Sequence, residues 1–250
     1  MINNFFTKSI NKITNKSIIL PEFYSIDLHS HLIPGIDDGS LNMEQSIQMV
    51  KTLKEMGFKR LITTPHIMSH KFPNNKDIIL RGLDSLKNEL LSNNIDIPIQ
   101  AAAEYYYDEH FIELIERKDL LTFGDNYVLF ELSYTTPVFG LEQVVYKLLS
   151  AGYKPILAHP ERYSYFNSNL EKYHQLKDMG LLFQLNVNSL NNFYGKKVKI
   201  AAKYLINKGL VDFVGSDTHR PNYLESLQKS LSIKEFKSIE NKNRILNNYL

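Results

Sequence analysis

His29 and His31 stand two residues apart at the end of a short apolar run made by Tyr24, Ile26 and Leu28. Residues i and i+2 of an extended strand point to the same face, so one metal ion could take both imidazoles. Pro34, Gly35 and Gly39 then break regular structure, and Asp37 and Asp38 lie in the loop this creates. A carboxylate there can turn back towards the histidines. A His-x-His pair alone says little, and its weight comes from the rest of the chain. His66, Glu104, Glu131, His159, and the pair Asp217 and His219 each follow a further apolar run directly. The nine candidates His29, His31, Asp38, His66, Glu104, Glu131, His159, Asp217 and His219 are all oxygen or imidazole donors, a set that suits Zn, Mn or Fe. Cysteine is absent, which excludes thiolate ligation, disulfides and a cysteine nucleophile.

The elements that must position these donors alternate along the chain. Strands are expected at 24–28, 60–63, 97–103, 127–130, 155–158, 181–187 and 212–215. Between them run helical patterns. Asn42 and Gln45 resemble a capping box for a helix carrying Met43, Ile47, Val50 and Leu53, closed by Gly57. Ile79, Leu83, Leu86 and Leu90 mark a second helix, and a third is expected at about 108–117. Leu141, Val144, Val145, Leu148 and Leu149 mark a fourth, stopped at Gly152, and 198–205 lies on a fifth. The stretch beyond His219 reads as helical and irregular, with Leu224, Leu227, Leu231 and Phe236 available for packing. Strands alternating with helices imply a mostly parallel sheet. In a (β/α) barrel the strand ends meet on one face, whereas an open doubly wound sheet gathers them only near a switch point. Candidate ligands after six of the seven expected strands favour an α/β fold closed into a barrel.

With 250 residues, 43% hydrophobic and 22% charged, the chain suits one large domain, expected at 23–250. A net charge of +2 gives no field that marks a nucleic-acid partner, and no apolar run approaches bilayer length. Residues 1–22 are polar with spaced Lys8, Lys12 and Lys16 and lack a signal-peptide core. They are expected to form a loosely ordered arm; Phe5, Phe6 and Ile10 leave open a weak amphipathic helix on a membrane or partner. The absence of cysteine fits a cytoplasmic protein. His70, His110 and His174 fall outside the strand-end pattern and read as surface residues.

The strings DLHSHLIPGIDDG, TTPH, AHPER and SDTH, with strand-end Glu104 and Glu131 in sequence between them, resemble the PHP superfamily of metal-dependent phosphoesterases. HLIPGIDDG together with HPER resembles one branch, the bacterial protein-tyrosine phosphatases of the CpsB/YwqE type that accompany capsule and exopolysaccharide synthesis. The resemblance runs from about Tyr24 to His219. It implies a distorted seven-stranded (β/α) barrel holding three divalent metal ions, Mn foremost, with Fe or Zn as alternatives. By position it gives His29, His31, Glu104 and Asp217 to the first metal. Glu104 bridges to a second metal with Glu131 and His159, and Asp38, His66 and His219 take a third. Arg162 of HPER would hold the substrate phosphate, so Arg162, Glu104 and Asp217 would carry catalysis. Two departures stand out: Ala102 replaces a glycine common two residues before the bridging glutamate, and Arg220 is only a candidate for a second family arginine.

Three divalent ions and the four carboxylates Asp38, Glu104, Glu131 and Asp217 would leave the site with a charge of about +2, suited to a phosphate monoester dianion. Without cysteine, attack by metal-activated water or hydroxide is the natural route. Tyrosine leaves as a phenolate of pKa about 10, so a strong general acid is less necessary. Tyr105, Tyr106 and Tyr107 follow Glu104 and either wall a phosphotyrosine ring or pack on the next helix. Asn186, Asn188 and Ser189 follow the strand without a ligand and either contact substrate or bond the loop. The resemblance makes the partner a phosphotyrosine protein, the tail of a bacterial tyrosine autokinase. A small-molecule phosphatase on the same scaffold, such as a histidinol phosphatase, and a non-catalytic regulatory domain are the alternatives.

Overall fold

Asn42 accepts a hydrogen bond from Gln45 N at 2.9 Å, and Gln45 Oε1 accepts from Leu41 N at 2.9 Å. The polar pair therefore satisfies one orphan donor of helix α1 (Met43–Glu55) and fixes the residue just before its cap. Gly57, at φ +105°, takes the chain out of it in a backbone region that only glycine enters freely. Asn75 and Asp108 cap helices α2 (Lys76–Ser92) and α3 (Glu109–Glu116) in the same way. Helices α4 (Leu141–Ser150), α5 (Lys172–Asp178), α6 (Lys196–Asn207), α7 (Pro221–Leu231), α8 (Lys234–Lys237) and α9 (Ile239–Lys242) complete the helical set. The computed structural model describes residues 20–250, so most of the expected N-terminal arm lies outside the described residues. Within it, Glu22–Tyr24 forms a 3₁₀ turn that buries Phe23 and Tyr24. No helix among the described residues is long and apolar enough to cross a membrane.

The strands are β1 (Ile26–Leu28), β2 (Arg60–Thr63), β3 (His66–Ile67), β4 (Ile99–Ala101), β5 (Glu104–Tyr106), β6 (Tyr127–Glu131), β7 (Lys154–Ala158), β8 (Leu182–Asn186) and β9 (Phe213–Gly215). They form two parallel sheets, ordered β1-β2-β4 and β3-β5-β6-β7-β8-β9. The mostly parallel α/β arrangement expected from the sequence is present, divided here between two sheets. The second expected strand is found at its expected bounds, 60–63, and the third is shortened to Ile99–Ala101; after a break, a further short strand follows each, β3 beyond Thr64-Pro65 and β5 beyond Ala102-Ala103. Proline has no N–H to give a ladder, which accounts for the first break. Pairing carries on across both, with Ala102 N donating to Thr63 O at 2.9 Å and Glu104 N to Pro65 O at 3.1 Å. The breaks turn His66 and Glu104 to the same register, paired directly across β3 and β5.

Both faces of the strands are apolar, as parallel sheets require. One face packs on the helices through Leu61, Phe130, Leu157, Phe183 and Val214. The other forms a second cluster of Ile26, Leu28, Ile62, Leu129, Ile156 and Phe213, drawn from strands of both sheets. β1 and β9 meet through a parallel bridge between Ser30 and Thr218. Asp217 N donates to His29 O at 2.8 Å and His31 N to Thr218 O at 2.9 Å. A Cβ on Gly215 would lie 2.0 Å from Leu28 O and 3.1 Å from His29 Cβ, so this approach admits no side chain. Gly215→Ala is expected to destabilise the fold by about 1–3 kcal/mol, the usual scale for overpacking. Denaturant unfolding would show it, and an unchanged midpoint would mean that β1 and β9 do not approach this closely.

Candidate metal centre

Three of the predicted donors sit at strand ends in a backbone region that side chains disfavour: His29 at φ +87°, His159 at +34° and Asp217 at +50°. Each such residue costs about 1–3 kcal/mol and persists only when its surroundings fix it. The surroundings here are the other donors. His29 Nε2 lies 3.0 Å from Glu104 Oε2 and 3.3 Å from Asp217 Oδ1. His31 Nε2 faces the same two oxygens at 3.4 and 3.6 Å. His66 Nδ1 lies 3.2 Å from Glu104 Oε2 and 3.4 Å from Glu131 Oε1, with Nε2 3.4 Å from Asp38 Oδ1. His159 Nε2 meets Glu104 Oε1 at 3.0 Å. His219 Nδ1 lies 3.2 Å from Asp217 Oδ1 and Nε2 3.6 Å from Asp38 Oδ1. The fold thus gathers all nine candidates into one cluster.

The outward atoms of these side chains are tied down. Asp37 Oδ2 takes His31 Nδ1 at 2.7 Å, and Gln184 Oε1 meets His29 Nδ1 at 2.8 Å. With one proton held on each Nδ1, loss of the second would leave Nε2 as the lone-pair nitrogen that a cation requires. Tyr134 OH donates to Glu131 Oε2 at 2.9 Å. Asn186 Nδ2 and Arg162 Nη1 donate to Asp217 Oδ2 at 2.8 and 2.7 Å. The inward atoms have no such partners. His29 Nε2, His31 Nε2, Asp38 Oδ1, His66 Nδ1, Glu104 Oε2 and Asp217 Oδ1 are buried without a hydrogen bond. Native structures seldom leave so many buried polar atoms unsatisfied in one place, and a divalent cation is what this donor set fits. Four groups of donor atoms lie within 4.8 Å of one another: His31, Asp38, His66 and His219; His29, His31 and Glu104; His29, His159 and Asp217; and His66, Glu104 and Glu131. They overlap, and differ from the expected division in placing His31 with Asp38, His66 with Glu104 and Glu131, and His159 with His29 and Asp217.

Electrostatics follow from packing opposite charges in a dry site. Burial alone would lower His29 and His66, yet Glu104 with Asp217, and Glu104 with Asp38 and Glu131, outweigh it and push each up to about 9. Burial opposes ionisation of Glu104, but the His29 and His66 charges hold it well below the usual carboxylate range. Burial and then the Glu104 charge push Glu131 up to about 7. Burial and the Arg162 charge press His159 down to about 4.

A cavity of about 270 Å³ opens over the cluster, lined by Met68, Phe72, Tyr134, Arg162, Arg220 and Tyr223 beside the candidate ligands. A larger crevice of about 640 Å³ beside Arg60, Leu90 and Ile97 contains none of them. Arg162 therefore faces the cavity and does not pair with the adjacent Glu161, whose Oε1 accepts from Asn186 N and Ser189 Oγ. Arg220 stands exposed at the mouth. Two expected substrate contacts are corrected. Tyr105 is 1% exposed, stacks on Phe111 and accepts from Leu121 N, because the pleat of β5 turns it away from the Glu104 side. Asn188 is fully buried and donates to Ser216 O at 3.1 Å, bonding the loop rather than facing the cavity. Tyr106 packs on His70, and Tyr107 donates to Phe139 O. His70 is exposed, and His110 and His174 are partly exposed; none belongs to the cluster. Sequence reasoning missed Gln184, Tyr134 and Tyr194 and did not assign Asp37. Only Asp37, beside Asp38 in the loop after the histidines, carried a signal.

A family model described as capsular polysaccharide synthesis, CpsB/CapC, matches residues 25–243. The tyrosine-protein phosphatase YwqE of Bacillus subtilis is 29% identical over 195 residues, 78% of this chain and 77% of that one. The tyrosine-protein phosphatase CpsB of Streptococcus pneumoniae is 29% identical over 210 residues, 80% of this chain and 86% of that one. Among solved structures, one from the pair YwqE of Bacillus subtilis and CpsB of Streptococcus pneumoniae, described as metal-dependent tyrosine phosphatases, superposes with a TM-score of 0.75. It is 25% identical and covers 87% of this chain and 93% of that one.

The raised histidines give a pH signature. Their folded values of about 9, above the ordinary 6.5, contribute stability that is fully present below about 6.5 and lost as pH rises through about 9. The metal-free protein should therefore unfold more easily at pH 9 than at pH 6. Cation binding must displace these protons and that of His219, which Asp217 and Asp38 also hold well above the ordinary value, so adding Mn²⁺ to chelator-treated protein in weak buffer at pH 7.5 should release about three protons. Binding without proton release would show that His29, His66 and His219 are already neutral.

Proposed function

The chain belongs to the CpsB/CapC capsular polysaccharide synthesis family, and from that premise we propose that it is a metal-dependent phosphatase acting on phosphotyrosine in a protein. The observation that carries this reading is the set of unpartnered inward donor atoms beneath a cavity that Arg162 faces. His29, His31, Glu104 and Asp217 would hold one cation. Glu104, Glu131 and His159 would hold a second, and Asp38, His66 and His219 a third. Divalent ions bound there would supply Lewis-acid charge to phosphoryl oxygens and lower the pKa of bound water.

The chain's own residues supply the rest. Arg162 offers a planar fork to the phosphoryl oxygens. It keeps Nη1 on Asp217, so the guanidinium is oriented before substrate arrives. Met68, Phe72 and Tyr223 give the cavity apolar walls for an aryl ring, and Arg220 adds charge at its mouth. Asp37 and Gln184 keep His31 and His29 in the tautomers that turn Nε2 inward. The two sheets, bridged at Ser30 and Thr218 and sharing one inner cluster, are read as a distorted seven-stranded barrel with this site at its carboxyl end. The protein partner is read as the tail of a bacterial tyrosine kinase in the cytoplasm. The relatives reported above bear tyrosine-phosphatase names, which favours this over a small-molecule phosphatase, and all nine donor positions are kept, which disfavours a non-catalytic domain.

Hydrolysis of a phosphotyrosine peptide after chelation, with metals restored singly, is the test. Turnover should vanish on stripping and return best with Mn²⁺; full activity in metal-free protein would refute the reading. Glu104→Ala should lose both metal and activity, and wild-type metal content in that variant would remove Glu104 from the ligand set. Arg162→Ala should keep its metal and lose about 10²–10³ in rate, the cost of one preorganised donor, with Arg162→Lys restoring only part. A near wild-type kcat/KM for Arg162→Ala would remove the phosphate role.

A further inference from the structure

Arg162 is held by more than its carboxylate. Its guanidinium carbon lies 4.3 Å from the centre of the Tyr194 ring and 4.5 Å from that of Tyr134. The two rings come from different places, Tyr134 from the loop after β6 and Tyr194 from the loop before α6. Each is anchored at its hydroxyl to the candidate ligand set. Tyr134 OH donates to Glu131 Oε2. Tyr194 OH accepts from Asn186 Nδ2 at 3.0 Å and lies 3.4 Å from Asp217 Oδ2, the atom that Arg162 also holds. The backbone beneath is fixed as well, with Arg162 N donating to His159 O at 2.9 Å and Ser164 N donating to Tyr134 O at 3.0 Å.

We propose that Tyr134 and Tyr194 are positioning residues that form a slot for the Arg162 guanidinium and keep its fork turned into the cavity as a phosphate clamp. The slot is needed because the neighbourhood offers Arg162 wrong partners. Glu131 and Glu104 lie in the same cavity wall, and an arginine free to rotate would fold onto them and occupy the donors meant for a cation. Two aromatic faces restrict the planar group to one plane while adding their own attraction for its charge. The hydroxyl anchors let each ring hold that plane only where Glu131 and Asp217 are themselves in place.

The inference rests on the phosphatase reading of Arg162, and its test separates the two. The experiment is a double-mutant cycle on the full chain loaded with Mn²⁺, with metal content and thermal unfolding measured for each variant. On a phosphotyrosine peptide Tyr194→Leu should lower kcat/KM about tenfold or more, whereas Tyr194→Phe, which keeps the ring and loses only the hydroxyl anchor, should lose clearly less. In an Arg162→Ala background the same Tyr194→Leu change should cost nothing further, since the ring acts only through the arginine. Calorimetric binding of inorganic phosphate should follow the same pattern without relying on turnover. If Tyr194→Leu unfolds, Tyr134→Phe against Tyr134→Leu carries the cycle. Equal losses with and without Arg162, or a Phe variant as damaged as the Leu variant, would overturn the slot. Wild-type protein that binds phosphate in this Arg162- and Tyr194-dependent way but cleaves no phosphotyrosine would overturn the phosphatase reading and leave the slot standing.

Discussion

The structure depends on holding Glu104 and Asp217, two buried carboxylates, at the point where β1, β4 and β9 end and β5 begins. Each divides its oxygens between two tasks. Asp217 Oδ2 is bonded by Arg162 and Asn186 while Oδ1 faces His29, His31 and His219. Glu104 Oε1 meets His159 while Oε2 faces His29, His31 and His66. Burying such charges without compensation would cost several kcal/mol per ion. The cluster meets that cost from one side with protons on His29, His66 and His219, and these are the protons a divalent ion would replace. Histidine protonation and cation binding are thus two ways of neutralising the same acidic centre.

That demand explains the strain and the close packing around it. His29, His159 and Asp217 take left-handed backbone angles because the strand end must turn sharply to aim a side chain back over the sheet. Gly215 and Gly39 have no room for a side chain, each against a histidine that bears on the cluster: Gly215 against His29, and Gly39 with a would-be Cβ 2.3 Å from His31 Cβ. A larger residue at either position would push a metal-facing imidazole off its outer partner, Gln184 or Asp37. Packing precision at the strand ends and electrostatic precision in the site are the same requirement.

The amino-acid sequence displays the parts of this arrangement that are local. Asn42 and Gln45 announce a helix start because capping involves residues three apart. His29 and His31 announce a shared face because strand periodicity is two. The strand end at Thr63 was legible, but the short strands that resume beyond Thr64-Pro65 and Ala102-Ala103 were not, since only pairing with a neighbour reveals where a ladder takes up again. Tyr105 was misplaced for a related reason: it is adjacent to Glu104 in the chain, but the pleat sends adjacent residues to opposite faces. Gln184 lies 155 positions from the histidine it orients, and Tyr134 and Tyr194 flank an arginine that neither neighbours in sequence. Supporting contacts of this kind join elements distant in the chain, and no short motif encodes them.

Arg162 shows how the supporting contacts link binding to orientation. The Pro160–Arg162 turn follows directly from His159, so the residue that faces the donor cluster and the residue that faces the cavity share one short backbone segment. Glu161 between them is fully buried and bonded to Asn186 N and Ser189 Oγ. That ties the same turn to the loop whose Asn186 side chain holds Asp217. Alternate residues of one turn therefore point outward to the cavity and inward to a strut. Displacing the 186–191 loop would move Asp217 Oδ2 and the Arg162 fork together, so their mutual geometry would survive a shift that changed their distance from His29. Such a shared strut preserves the relation between the arginine and its carboxylate, the one relation that a charge-neutralising site and an anion-binding cavity both require.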